Sequence, residues 1–101
     1  MTPKQATKRE DEINNIRDRL ILILAEESGV SSEKILGTSR LGKDLGIGNT
    51  VGAAEFLGLR EEIEKAFGIK IPAEAIPSSD EAKDVTVRQI VETIDSLLSV
   101  K

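Results

Sequence analysis

The residues of this chain that could do chemistry are hydroxyls, carboxylates and a run of glycines, and each kind lacks the partners that a reaction needs. Gly46-x-Gly48-x-x-x-Gly52, ahead of a helical pattern, looks superficially like a loop that cradles a phosphate at a helix N-terminus. The dinucleotide fingerprint has a different spacing and follows a strand, and no Gly-Lys-Ser/Thr comes after these glycines. Thr50 offers a hydroxyl near the expected start of a helix, but the chain contains no His and no Cys. Imidazole acid–base catalysis, thiolate nucleophiles, disulfides and structural zinc sites are thereby excluded. The acidic residues are scattered over helical patterns, neither paired for hydrolysis nor alternating as in a calcium loop. No catalytic residue and no metal ligand is expected, and the reading is of a binding module rather than an enzyme.

Composition narrows the partners. Of the 101 residues 39% are hydrophobic and 32% charged, enough for one domain with a modest core and a well-solvated surface. Aromatics amount to 2%, Phe56 and Phe67, so the core must be aliphatic and readily rearranged. The formal charge of −4 gives neither the basic face nor the stacking rings of a nucleic-acid binder, and suits basic protein partners. The longest apolar run, Leu20–Ala25, falls far short of the roughly 20 residues that span a bilayer. The first residues lack the apolar segment of a secretory signal, so a cytoplasmic monomer is expected.

The elements that must position these residues are helical. Residues 1–10 show no periodicity and are expected to form a disordered lead to a domain over 11–101. From Asp11 to Ser28, Ile13, Ile16, Leu20, Ile23 and Leu24 recur every three or four positions, the stripe of an amphipathic helix that Gly29 ends. A short turn over Val30–Leu36 and a long glycine-punctuated connection, Gly37–Asn49, follow. Asn49 and Thr50 are acceptable N-caps for a second helix with Phe56, Leu59, Ile63, Ala66 and Phe67 on its buried stripe. Gly52 and Gly58 inside it each cost about 1 kcal/mol against Ala. Gly68 is a natural stop, and Ile69-Lys70-Ile71 is too short for a sheet. Ala73–Asp84 is irregular, with one helical turn nearby, before Thr86 caps a last helix striped by Val87, Ile90, Val91, Ile94, Leu97 and Leu98. The expected fold is all-α: a small four-helix bundle with a long first loop.

The segment Ser39-x-Leu41-x-x-Asp44-Leu45-Gly46-Ile47, followed by a helix closing as Glu64-Lys65-Ala66-Phe67-Gly68-Ile69-Lys70-Ile71-Pro72, resembles the acyl carrier proteins of fatty-acid and polyketide synthesis. In that family a long first loop ends in Asp-Leu-Gly-x-Asp-Ser-Leu, and an acidic second helix ends in Glu-x-x-Phe-x-x-x-Ile-Pro. The first amphipathic helix and the Thr86-Val87 start of the last helix fall where the family places them, so the resemblance runs from about Ile13 to Leu98. It implies a carrier in lipid metabolism. A serine at the start of the second helix would bear 4'-phosphopantetheine, and its acyl chain could fold back among Leu45, Phe56, Leu59, Ile63, Phe67, Ile71, Ile90 and Ile94. Asp44, Asn49, Thr50, Glu55, Glu61, Glu62 and Glu64 would face basic-surfaced acyl-transfer or lipid-synthesis enzymes.

The sequence departs from the pattern at the attachment position. Counted forward from Asp44-Leu45-Gly46, the serine position is Asn49; counted back from Phe67, it is Ala53. The registers differ by about one helical turn, as if the second helix or its approach were extended. Neither residue can accept a phosphodiester, so no cofactor is expected, and the chain would act by contact with acyl-transfer enzymes or by holding an aliphatic ligand. Two alternatives stand beside this: a working carrier modified at Thr50 or elsewhere, and a helical adaptor unconnected with acyl groups.

Overall fold

The protein, seen as a computed structural model, is described over residues 3–48, 52, 54–77 and 79–99, with 3–10 and 80 as backbone only. Its order is α1 (Pro3–Ser28), a 3-10 turn (Ser32–Lys34), α2 (Ala54–Phe67), a second 3-10 turn (Asp80–Asp84) and α3 (Val87–Ser99). Helix α1 packs against both α2 and α3. Among the described residues there are three α-helices rather than four. The expected short fourth is the 3-10 turn at 80–84, which follows a stretch broken by Pro72 and Pro77. The described helices include none long and apolar enough to cross a membrane.

Helix α1 starts eight residues before the expected Asp11, so the expected unstructured lead is helical from Pro3 onward. Proline suits the first helical position, where its missing N–H leaves nothing unpaired, and Lys4, Gln5, Ala6, Lys8 and Arg9 are good helix formers. Its stripe is as expected: Ile16, Leu20 and Leu24 are buried, with Ile13 and Ile23 partly so. The helix ends where the Ser28 hydroxyl donates to the Leu24 carbonyl at 2.7 Å and accepts the Val30 N–H at 3.1 Å.

The first loop is a built part of the core. Ile35, Leu41, Leu45 and Ile47 are buried within it. Its backbone is stitched to the approach of α3: Leu41 N–H donates to the Val85 carbonyl at 2.9 Å, Gly42 N–H to Lys83 at 3.1 Å, and Arg40 and Thr86 form an isolated antiparallel bridge. At Gly42 a Cβ would lie 2.4 Å from that of Lys83, so only glycine admits this approach. Ser39, the buried polar residue of the segment, accepts the Leu36 N–H at 2.9 Å, while its carbonyl accepts the Val87 N–H at 3.0 Å.

Helix α3 begins in a reciprocal capping box. The Gln89 N–H donates to the Thr86 hydroxyl at 3.2 Å and the Thr86 N–H to the Gln89 side-chain oxygen at 3.0 Å. Its buried face carries Val87, Ile90, Val91 and Ile94, while Leu98, expected on that stripe, keeps 37% of its surface exposed near the end of the helix. Ala66 is exposed at the far end of α2.

The second helix and its entrance

Helix α2 begins at Ala54, not at Asn49–Thr50. The expected caps lie outside the described residues, as does Ala53. Gly52, two residues before that start, has a φ of +101°, which an α-helix does not accommodate. The described helix thus starts one residue after Ala53, the serine position counted back from Phe67.

The turn that leads there is closed on itself. Arg40 N–H donates to Oδ2 of Asp44 at 2.7 Å, and the N–H groups of Asp44 and Leu45 both donate to the Arg40 carbonyl at 3.1 Å. Asp44, expected to face partners, is exposed but also holds this turn. Ile47 N–H returns to the Leu41 carbonyl at 2.9 Å. At Gly48 the backbone takes φ +91°, and a Cβ there would lie 2.6 Å from Cε2 of the Phe56 ring. Its N–H donates to Oε1 of Glu55 at 2.8 Å, joining the loop to the first turn of α2.

The far end of α2 is anchored in the same way. The N–H groups of Gly68 and Ile69 donate to the Glu64 carbonyl at 2.8 and 3.2 Å, while the Glu64 carboxylate accepts the Ile71 N–H at 2.8 Å. Arg19 reaches across from α1, donating to the Ala66 carbonyl and placing its guanidinium 4.4 Å from the centre of the Phe67 ring. Of the four glutamates expected to make an acidic face, Glu55 and Glu64 are thus half-buried anchors. Glu61 and Glu62 are the exposed pair.

Leu45, Phe56, Leu59, Ile63, Ile71, Ile90 and Ile94 come together as one buried cluster, with Phe67 packed against its edge. Phe56, Leu59, Ile63 and Ile94 are fully out of solvent. Arg19 was not singled out by the sequence pattern. Its signal was an arginine one position from the apolar stripe and near the helix's middle, which is too common to stand out.

No family profile matches the chain, and no solved structure does. Among curated proteins, acyl carrier proteins from two strains of Rickettsia bellii are each 32% identical to it over 73 residues. The alignments take in 72% of this chain and 80% and 85% of the two relatives. The chain belongs to the acyl carrier protein family. An acyl carrier protein presents an acyl group to other enzymes and is not itself a catalyst, which agrees with the missing His and Cys. The long first loop with Asp44-Leu45-Gly46, the Phe67 to Pro72 exit of α2 and the Thr86-Val87 start of the last helix are the features on which the resemblance rests.

Proposed function

We propose that this member of the family works in acyl metabolism without a covalently bound 4'-phosphopantetheine, docking acyl-transfer or lipid-synthesis enzymes through the exposed Glu61 and Glu62 of α2. Members of the family ordinarily carry that group on a serine hydroxyl at the start of the second helix. The single observation that carries the reading is the chemistry of this position. Asn49 and Ala53, the residues reached by the two registers, have no hydroxyl, and neither do Gly52, Ala54 or Glu55 around the start of α2.

The described surroundings fit a phosphodiester poorly for a second reason. The Gly48 N–H, a donor that could face an anion, is already taken by the Glu55 carboxylate, and a second negative group beside that carboxylate would be repelled. The residues present do not fit the group. Docking by Glu61 and Glu62 would use screened, steering attraction to a basic surface, which sets association rate and partner choice more than affinity.

The test is the intact mass of the purified protein before and after incubation with coenzyme A and a broad-specificity phosphopantetheinyl transferase, beside an ordinary carrier that converts fully. An unchanged mass is expected. A gain of one phosphopantetheine overturns the proposal, and fragmentation would then show whether Thr50 bears it.

A further inference from the structure

Away from the second helix, the seam between α1 and α3 opens into a cavity of about 520 Å³, a size typical of small-molecule sites, which span about 300–1,000 Å³. Its lining comes from α1, from the loop at 35–37 and from the start of α3, with no described residue of α2. The floor is aliphatic and closed: Ile35, Val87 and Val91 are buried. Leu36 stands on the lip with 60% of its surface exposed, a large fraction for a leucine with an apolar cavity beside it. The loop wall is fixed, since the Arg88 N–H donates to the Gly37 carbonyl at 2.8 Å.

The charge at this cavity opposes that of the whole chain. Arg17 and Arg88 both line it, in a protein of net charge −4. Arg17 falls one turn from Ile13 and one turn from Ile21, so an exposed cation interrupts the α1 edge that forms the wall. Its guanidinium donates to the Asn14 side-chain oxygen at 2.6 Å, which restricts its position. Glu92, one turn beyond Arg88, is the acidic residue among the lining and offsets part of that arginine's charge. Two guanidinium groups and one carboxylate leave the rim net positive.

We propose that this groove binds an unesterified long-chain carboxylate, its aliphatic tail along Ile35, Val87 and Val91 and its head group at Arg17 and Arg88. The buried floor of Ile35, Val87 and Val91 is aliphatic and without rings, which suits a flexible hydrocarbon. The planar guanidinium fork matches a carboxylate, and the N-terminal turn of α3 adds its dipole in the same sense. The site shares no lining residue with the Phe56, Leu59 and Ile63 cluster that an acyl chain is expected to enter. It does not depend on whether the chain bears phosphopantetheine.

The full chain would be titrated calorimetrically with dodecanoate below its micelle concentration, with dodecan-1-ol and dodecyltrimethylammonium as head-group controls. Saturable one-to-one binding in the order carboxylate, alcohol, ammonium is expected. Arg17→Gln with Arg88→Gln should weaken dodecanoate about tenfold and leave the alcohol nearly unchanged, as for loss of a charge-assisted contact. Both arginines are exposed, so the variant keeps its fold, as circular dichroism would check. Backbone amide shifts should cluster at 35–37 and 87–92. No saturable binding, equal binding of the three probes, indifference to the arginine pair, or shifts centred on Leu59 and Ile63 would each overturn the proposal.

Discussion

The carboxylate of Glu55 accepts the backbone N–H of Gly48 at 2.8 Å, so the first turn of α2 carries the loop that precedes it. Seven positions separate the two residues, and the intervening chain is where this sequence differs most from its family's pattern. Removing the carboxylate leaves a half-buried N–H to find water. Glu55→Ala should therefore lower stability by about 1–3 kcal/mol, measured by urea denaturation, and Glu55→Gln, whose amide oxygen can still accept, by less. Equal stability of all three proteins would show that Glu55 is only surface charge.

Opposite signs are expected at two glycines in the same region. Gly48→Ala must hold a left-handed φ and push its methyl into the Phe56 ring, so a loss of about 2–4 kcal/mol is expected. Gly58 lies inside α2, and nothing stands within 4 Å of the position its Cβ would take. Gly58→Ala should stabilise the protein by about 0.5–1 kcal/mol through lower chain entropy in the unfolded state. Thermal melts of the two variants on either side of the wild type would check both signs.

What could be read in the sequence follows the range of the interaction. The stripes of α1 and α3, the stops at Gly29 and Gly68 and the cap at Thr86 are local signals, and the structure carries them. The start of α2 is less legible: Asn49 and Thr50, outside the described residues, are good caps by type, whereas the described helix begins at Ala54 after the left-handed backbone of Gly52. The glutamates of α2 divide by contacts that residue type does not announce. Residue type placed Glu55, Glu61, Glu62 and Glu64 on one acidic face. Which of them anchor loops depends on the N–H groups of Gly48 and Ile71, seven positions away in each case. The groove between α1 and α3 needs three separate segments and could not be seen from any one of them.

Arg19 links α1 to the C-terminal end of α2 by a hydrogen bond and by its position over a ring. Arg19→Met keeps the apolar stem and loses both contacts, so a loss of about 1–2 kcal/mol is expected. Arg19→Lys keeps a cation over the ring and should recover part of it. The readout is hydrogen exchange at Gly68 and Ile69, whose amides are bonded to the same helix end, and a change only at the N-terminus of α1 would contradict the assignment.

Lys43 and Asp84 form an ion pair at 2.9 Å on the surface where the first loop meets the approach to α3. The hydrogen bond and charge of Lys43, with a smaller pull from Arg40, hold the Asp84 carboxyl below its ordinary value of 3.8. A depressed folded pKa contributes stability above the unfolded value and loses it as pH falls through the folded one. Lys43→Met should raise the Asp84 titration midpoint measured by carboxyl NMR, and 1 M salt should move the wild type the same way. A midpoint at the ordinary value in the wild type would remove the pair from the account.

Exposure separates the docking glutamates of α2 from its anchors. Glu61 and Glu62 are exposed, so Glu61→Lys with Glu62→Lys should leave stability within about 0.5 kcal/mol of the wild type. Glu64→Lys removes the acceptor of the Ile71 N–H and should cost about 1–3 kcal/mol. Binding to a basic-surfaced acyl transferase that loads ordinary carriers should then weaken in the double variant, with a flatter dependence on salt, because exposed charges act over a screened range. Surface plasmon resonance at two ionic strengths gives both quantities. Full affinity in the double variant would exclude this face of α2 from docking. A large loss of stability there would instead mean that the two glutamates support the helix, and that the division between anchors and docking residues is drawn in the wrong place.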